Sequence, residues 1–258
     1  MKIEHRTYNR VMIDTKEEKR YFLMSKSPCN QRCVHCLGVF GTLTWDHIPP
    51  ESWYPDTTPE MMEKWKVPCC YTCNQELSKI EKELLIKMGL CIAPDRTEAQ
   101  GIADKALRSL KPELGKGERD KAHRAKARQK VFRHMMKFQD KIASGVLPNF
   151  GPYESSEEPI AVLIPAEYVE RFSKKLVRGF TYIIDGEYIE EDYVIDVFFV
   201  QDEAANESVQ LIDKHGITYN QGPGLIVKRA VAADDSKSAM WAISIWDKFK
   251  IYATVEKR

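Results

Sequence analysis

Downstream of Asn74 the apolar residues recur at helical spacing: Leu77, Ile80, Leu84 and Met88 stand three or four apart, which predicts an amphipathic helix ending near Gly89. Glu76, Glu81 and Glu83 fall on or near its other side. A second helix is predicted over the charged run Lys116 to Arg133, set apart by Pro112 and Gly115-Lys116-Gly117. Val131, Met135, Phe138 and Ile142 would continue it with an apolar stripe. Leu147 to Pro159, with Pro148, Pro152 and Pro159, reads as a linker. Beyond it the period changes. Ile160 to Ile164 reads as a strand; Pro165 opens a helix that Gly179 closes, with Val169, Phe172 and Leu176 on its buried side. Tyr193–Val200, Leu225–Ala232, Met240–Trp246 and Phe249–Val255 are rich in β-branched and aromatic residues and read as strands, with Trp241, Ile243 and Ile245 on one face. Helical patterns thus precede the linker and a mixed pattern of helix and strand follows it, so the expected fold class is α+β.

A chain of 258 residues is long enough for one large domain or two small ones. With 43% hydrophobic and 30% charged residues it has the composition of an ordinary globular protein. No apolar run approaches the roughly 20 residues that cross a bilayer, and Met1 to Arg10 lacks the apolar core of a signal peptide, so no membrane partner and a cytoplasmic location are expected. The net charge is +1, which excludes a uniformly basic nucleic-acid coat but hides a strong local asymmetry. Lys105 to Lys141 carries 13 Lys/Arg against 4 Asp/Glu, whereas Glu154 to Asp213 carries 4 against 15.

All seven cysteines lie in the first 100 residues. Four form two CxxC pairs, Cys33/Cys36 and Cys70/Cys73, with 33 residues between them. In a reducing compartment such a pair of pairs reads as a tetrahedral structural zinc site rather than a disulfide framework. Cys29, Cys69 and Cys91 carry no assigned role and read as small apolar fillers. His35, inside the first pair, reads as a solvent-facing loop residue.

Between the pairs stands Trp45-Asp46-His47-Ile48-Pro49-Pro50, and Asn74 follows the last cysteine. Together, CxxC, DHIPP and VPCCYTCN resemble the HNH endonuclease superfamily in its zinc-containing ββα-metal form, over about residues 33 to 83. The final His of the HNH signature has no counterpart after Asn74. The resemblance implies that His47 is the general base that takes a proton from water, and that Asp46 and Asn74 hold a catalytic Mg²⁺ or Mn²⁺ ion. It also implies products with 5′-phosphate and 3′-hydroxyl ends. Glu81 or Glu83 is a further candidate to reach that ion.

These observations give three expected segments: an HNH nuclease module with structural zinc over 1–100, a basic helical segment and linker over 101–150, and an acidic α+β domain over 151–258. The expected function is a metal-dependent endonuclease hydrolysing DNA phosphodiester bonds, in phage defence, restriction or a mobile element. The basic helix 116–133 would grip the DNA backbone, and the acidic C-terminal domain would bind a protein partner or a second copy. The alternatives are a non-catalytic zinc adaptor for nucleic acid or protein, and a hydrolytic metal site for small substrates.

Overall fold

The computed structural model describes residues 28–93, 95–137, 160–200, 206–220 and 222–258. The architecture is α+β. A short antiparallel hairpin, β1 (Cys29–Arg32) and β2 (Val39–Thr42), precedes a second one, β3 (Thr44–His47) and β4 (Lys66–Cys69). In the second, Asp46 lies opposite Val67 and His47 opposite Lys66. Helix α1 (Tyr71–Gly89) starts two residues after β4, and its buried positions include Leu77, Ile80, Leu84 and Met88, the stripe the spacing predicts. Its N-cap is Cys70, whose sulfur accepts a hydrogen bond from the Cys73 backbone N–H at 3.4 Å. Helices α2 (Ile102–Ser109) and α3 (Glu118–His134) follow. In α3 acidic residues occupy the first turn and Arg133 and His134 the last, matching the helix dipole.

The apolar stripe expected to prolong α3 does not do so. The helix stops at His134, and Met135 begins a short strand β5 (Met135–Lys137) paired with β6 (Ile160–Val162). Backbone pairing here takes over from side-chain periodicity. Phe138, Ile142 and the linker read over 147–159 lie outside the described residues.

Helix α4 (Ala166–Asp185) also departs from expectation, because Gly179 does not close it. The stop is Gly186, in the left-handed conformation with φ of 71°. Gly179 is instead an interior helical residue where a Cβ would come within 2.6 Å of the Ile48 side chain. A missing side chain here serves close packing, not termination.

The strands β7 (Tyr193–Phe198), β8 (Ile217–Asn220), β9 (Leu225–Val231), β10 (Ala239–Ile245) and β11 (Phe249–Lys257) form one antiparallel sheet in the order β7-β11-β10-β9-β8. Alternation decides its faces. Trp241, Ile243 and Ile245 of β10 enter the main core, while Met240 and Ala242 pack with Val209 and Ile212 of helix α5 (Glu207–His215). Helix α4 packs against β7 and β11, and also against α1 and β4. One cluster of buried residues therefore joins Ile48, Val67, Ile80 and Leu84 to Phe172, Leu176, Trp241 and Ile251. Trp53 stacks between Phe172 and Trp246, with ring centroids 4.4 and 5.0 Å away. No described helix is long and apolar enough to cross a membrane.

Candidate functional site

The sulfurs of Cys33, Cys36, Cys70 and Cys73 all lie within 4.8 Å of one another, a group that can hold a metal ion. The turn after β1 presents the first pair, and the start of α1 presents the second. A tetrahedral zinc with Zn–S bonds of about 2.3 Å needs sulfurs roughly 3.8 Å apart, and Cys36 Sγ lies 3.8 Å from Cys70 Sγ. The electrostatics fit a cation as well. A hydrogen bond with Cys69 pulls the Cys33 thiol down to about 3, while burial and the neighbouring sulfurs push Cys36 and Cys73 up. Four thiolates so close need a cation among them to ionise together.

Cys69 is not a mere filler. Fully buried, it forms with His35 and Asp46 a second close group of metal-binding type. His35 is not a solvent-facing loop residue either, since its side chain is nearly buried and its Nε2 lies 2.8 Å from Asp46 Oδ2. The short turn between Cys33 and Cys36 folds the imidazole back over β3. Cys91 donates to the Lys87 carbonyl.

The second contact of Asp46 comes from far along the chain. Lys175 Nζ on α4 donates to Asp46 Oδ1 at 2.7 Å and to Glu81 Oε1 on α1. The Lys175 side chain is fully buried, and Asp46 is 5% exposed. Burial alone would raise the Asp46 carboxyl, but the His35 hydrogen bond and the Lys175 charge outweigh it and hold the group below its ordinary value. Glu81 moves the other way: burial raises it, Lys175 opposes, and the charge of Asp46 adds to the rise.

Asp46, His47 and Asn74 line one open cavity of about 410 Å³, together with Glu51, Glu81 and Lys82. Hairpin β3–β4 brings the first two, and α1 the third. His47 is half-buried, and that burial lowers its imidazole below the usual 6.5 while Glu51 and Asp46 pull the other way. The Asn74 side-chain amide donates to Thr44 Oγ1 at 2.8 Å, which fixes the side chain against the start of β3. The cavity wall thus offers three carboxylates, an amide, an imidazole and the Lys82 ammonium, with two of the carboxylates, Asp46 and Glu81, held from behind by the buried Lys175.

Sequence reading overlooked Lys175 as a site residue. Its one local signal was a lysine three residues after Phe172, on the buried side of α4. Glu83, the other acid weighed with Glu81, faces away from this cavity and pairs with Lys87 and Lys130. No family model matches the chain, and no curated protein or solved structure matches it.

Proposed function

We propose that the chain is a metal-dependent endonuclease of HNH type that hydrolyses DNA phosphodiester bonds, with zinc on Cys33, Cys36, Cys70 and Cys73 as scaffold. The observation that carries the reading is the convergence of Asp46, His47 and Asn74 on one open cavity beside the four-cysteine cluster. The order hairpin then helix, β3–β4–α1, agrees with the ββα-metal arrangement that the motif resembles.

The donor set of the cavity suits a hard divalent ion, since Asp46, Glu81 and Asn74 offer oxygens and Lys175 cancels only one of the two carboxylate charges. Asp46 and Asn74, with Glu81 beside them, would hold Mg²⁺ or Mn²⁺, which when bound would neutralise charge at the phosphoryl group and the departing oxygen. His47 does the proton work. A neutral imidazole at the cavity wall accepts a proton from the attacking water as its oxygen closes on phosphorus. Lys175 anchors the Asp46 and Glu81 carboxylates, so the wall does not rearrange when a phosphate enters. His35 holds the other Asp46 oxygen.

The deciding experiment is cleavage of a supercoiled plasmid in Mg²⁺ or Mn²⁺. His47→Ala is expected to lower the rate by about 100-fold or more, the usual share of a general base. Undiminished cleavage by that variant would overturn the reading. One observation favours a second reading, a non-catalytic zinc adaptor: the Lys175 ammonium already occupies an oxygen of Asp46. Wild-type protein that binds DNA but leaves it intact in either metal would establish that alternative.

A further inference from the structure

A second cavity, of about 170 Å³, lies between α1 and α3. Its wall carries four lysines, Lys79, Lys82 and Lys87 from α1 and Lys130 from α3, against a single carboxylate, Glu83. Glu83 is already shared, meeting Lys87 through one oxygen at 2.9 Å and Lys130 through the other. Lys87 is 0% exposed, and its Nζ also lies 2.8 Å from His134 Nδ1, which can accept only one of its protons. One carboxylate cannot neutralise two ammonium groups, and Lys79 and Lys82 add more positive charge at the same wall. Lys87 is the buried member of this group, with Lys79 and Lys82 exposed beside it, and a buried charge is costly unless it is fully paired. Burial, with a smaller push from the Lys130 charge, depresses the Lys87 ammonium below its ordinary value against the opposing pull of Glu83.

Lys82 lines this cavity and the His47 cavity alike. On α1 the first cavity takes Ser78 and Glu81, and the second takes Glu83 and Ile86. At about 1.5 Å rise per residue these positions are offset along the helix axis by about 7.5 Å, between one and two turns. That is the scale of about two nucleotide steps along a strand, at about 3.4 Å of axis each.

We infer that the cavity between α1 and α3 binds a backbone phosphate of the nucleic acid, about two nucleotides from the phosphate presented to His47. The inference rests on the nuclease reading for the identity of the polymer, but not for the anion chemistry. It narrows the expected grip of the 116–133 helix to Lys130 and moves the rest of that grip onto α1. Lysine ammonium groups read charge and not base identity, so the contact sets register and affinity without sequence preference.

The test is binding of a fluorescent DNA duplex by the full chain in EDTA, where no cleavage intervenes, over a series of salt concentrations. Lys79→Ala/Lys130→Ala removes two charges from exposed and half-buried positions. It should weaken affinity by about tenfold or more at low salt and flatten the log–log salt dependence by about one unit, since one phosphate contact contributes a slope of about 0.9. Lys174→Ala/Lys214→Ala removes the same charge elsewhere and should change neither. Unaltered binding by the first variant, or equal loss in the second, overturns the inference. Inorganic phosphate at matched ionic strength is the second probe. Weak competition supports a polymer phosphate; tight binding of free phosphate with duplex affinity intact in the first variant assigns the cavity to a small anion and overturns it. Wild-type binding without cleavage in either Mg²⁺ or Mn²⁺ would sink the nuclease reading alone.

Discussion

Lys175 carries more of the site than any residue the motif contains. Its ammonium is the positive partner in a buried contact with two carboxylates, Asp46 and Glu81. Removing one side of such a group leaves charge stranded in a low-dielectric interior, at a cost of about 3–5 kcal/mol. Lys175→Met is therefore expected to lose about that much stability in urea denaturation, and Glu81→Gln in the same chain to recover part by discharging one carboxylate. A loss below about 1 kcal/mol would mean that the carboxylates protonate instead. The four cysteines were legible because CxxC spacing is a local rule, readable within a few residues, whereas Asp46, His47 and Asn74 were singled out through the motif's resemblance. Lys175 was not, because it meets Asp46 across 129 residues and adjoins Lys174, an exposed-face lysine of the same type. Sequence distinguishes the two only through their phase relative to Phe172 and Leu176.

At the level of elements, periodicity served well where one face decides the outcome. Helix α1 and the alternation of β10 emerge as the spacing predicts because each buries one stripe or one face. It misled where a neighbour decides: Gly179 looks like a stop until Ile48 is seen packed against it. Gly179→Ala should cost about 1–3 kcal/mol by overpacking, and Ile48→Val should restore part of it in a double-mutant cycle of thermal stabilities. Ile48 adjoins His47, so the same crowding would also shift the cavity wall. The α1–α3 contact offers a second test. Glu83 is pushed up by burial, but Lys130 and Lys87 dominate and hold it below its ordinary 4.5. A lowered folded value means that its stabilisation is complete above the ordinary carboxylate range and disappears as pH falls through that lowered value. Glu83→Gln should thus flatten the acid limb of stability against pH and, by stripping a buried Lys87 of its carboxylate, cost about 3 kcal/mol near neutrality. An unchanged acid limb would show that other carboxylates control it.

Across the whole molecule, Cys33, Cys69 and Cys70 form a small cluster of their own with Leu43, but Val34 and Val67, which adjoin them, share one large hydrophobic cluster with the five-stranded sheet, and that coupling has a measurable consequence. Segments 1–100, 101–150 and 151–258 differ in composition and charge, which is what sequence reveals, but burial follows contacts that composition does not encode. Val34 and Val67 beside the cysteines belong to the same cluster as Phe180 and Val255. Arg32 on β1 binds both Glu190 oxygens, at 2.8 and 2.7 Å, from the segment leading into β7. A structural zinc contributes folding free energy directly, because the unfolded chain does not assemble its ligands. Loss of a zinc held by the four cysteines would therefore destabilise not just the two hairpins but everything packed on them. Chelation, or Cys33→Ser, is therefore expected to lower the melting temperature of the entire chain while retaining one cooperative transition, followed in calorimetry and by Trp241 and Trp246 fluorescence from the sheet end of the core. Were the tryptophan signal to melt at an unchanged temperature while the zinc-stripped hairpins opened separately, the hydrophobic continuity between them would be too weak to couple their folding, and the buried Lys175 would then have to reach Asp46 across two independently stable units.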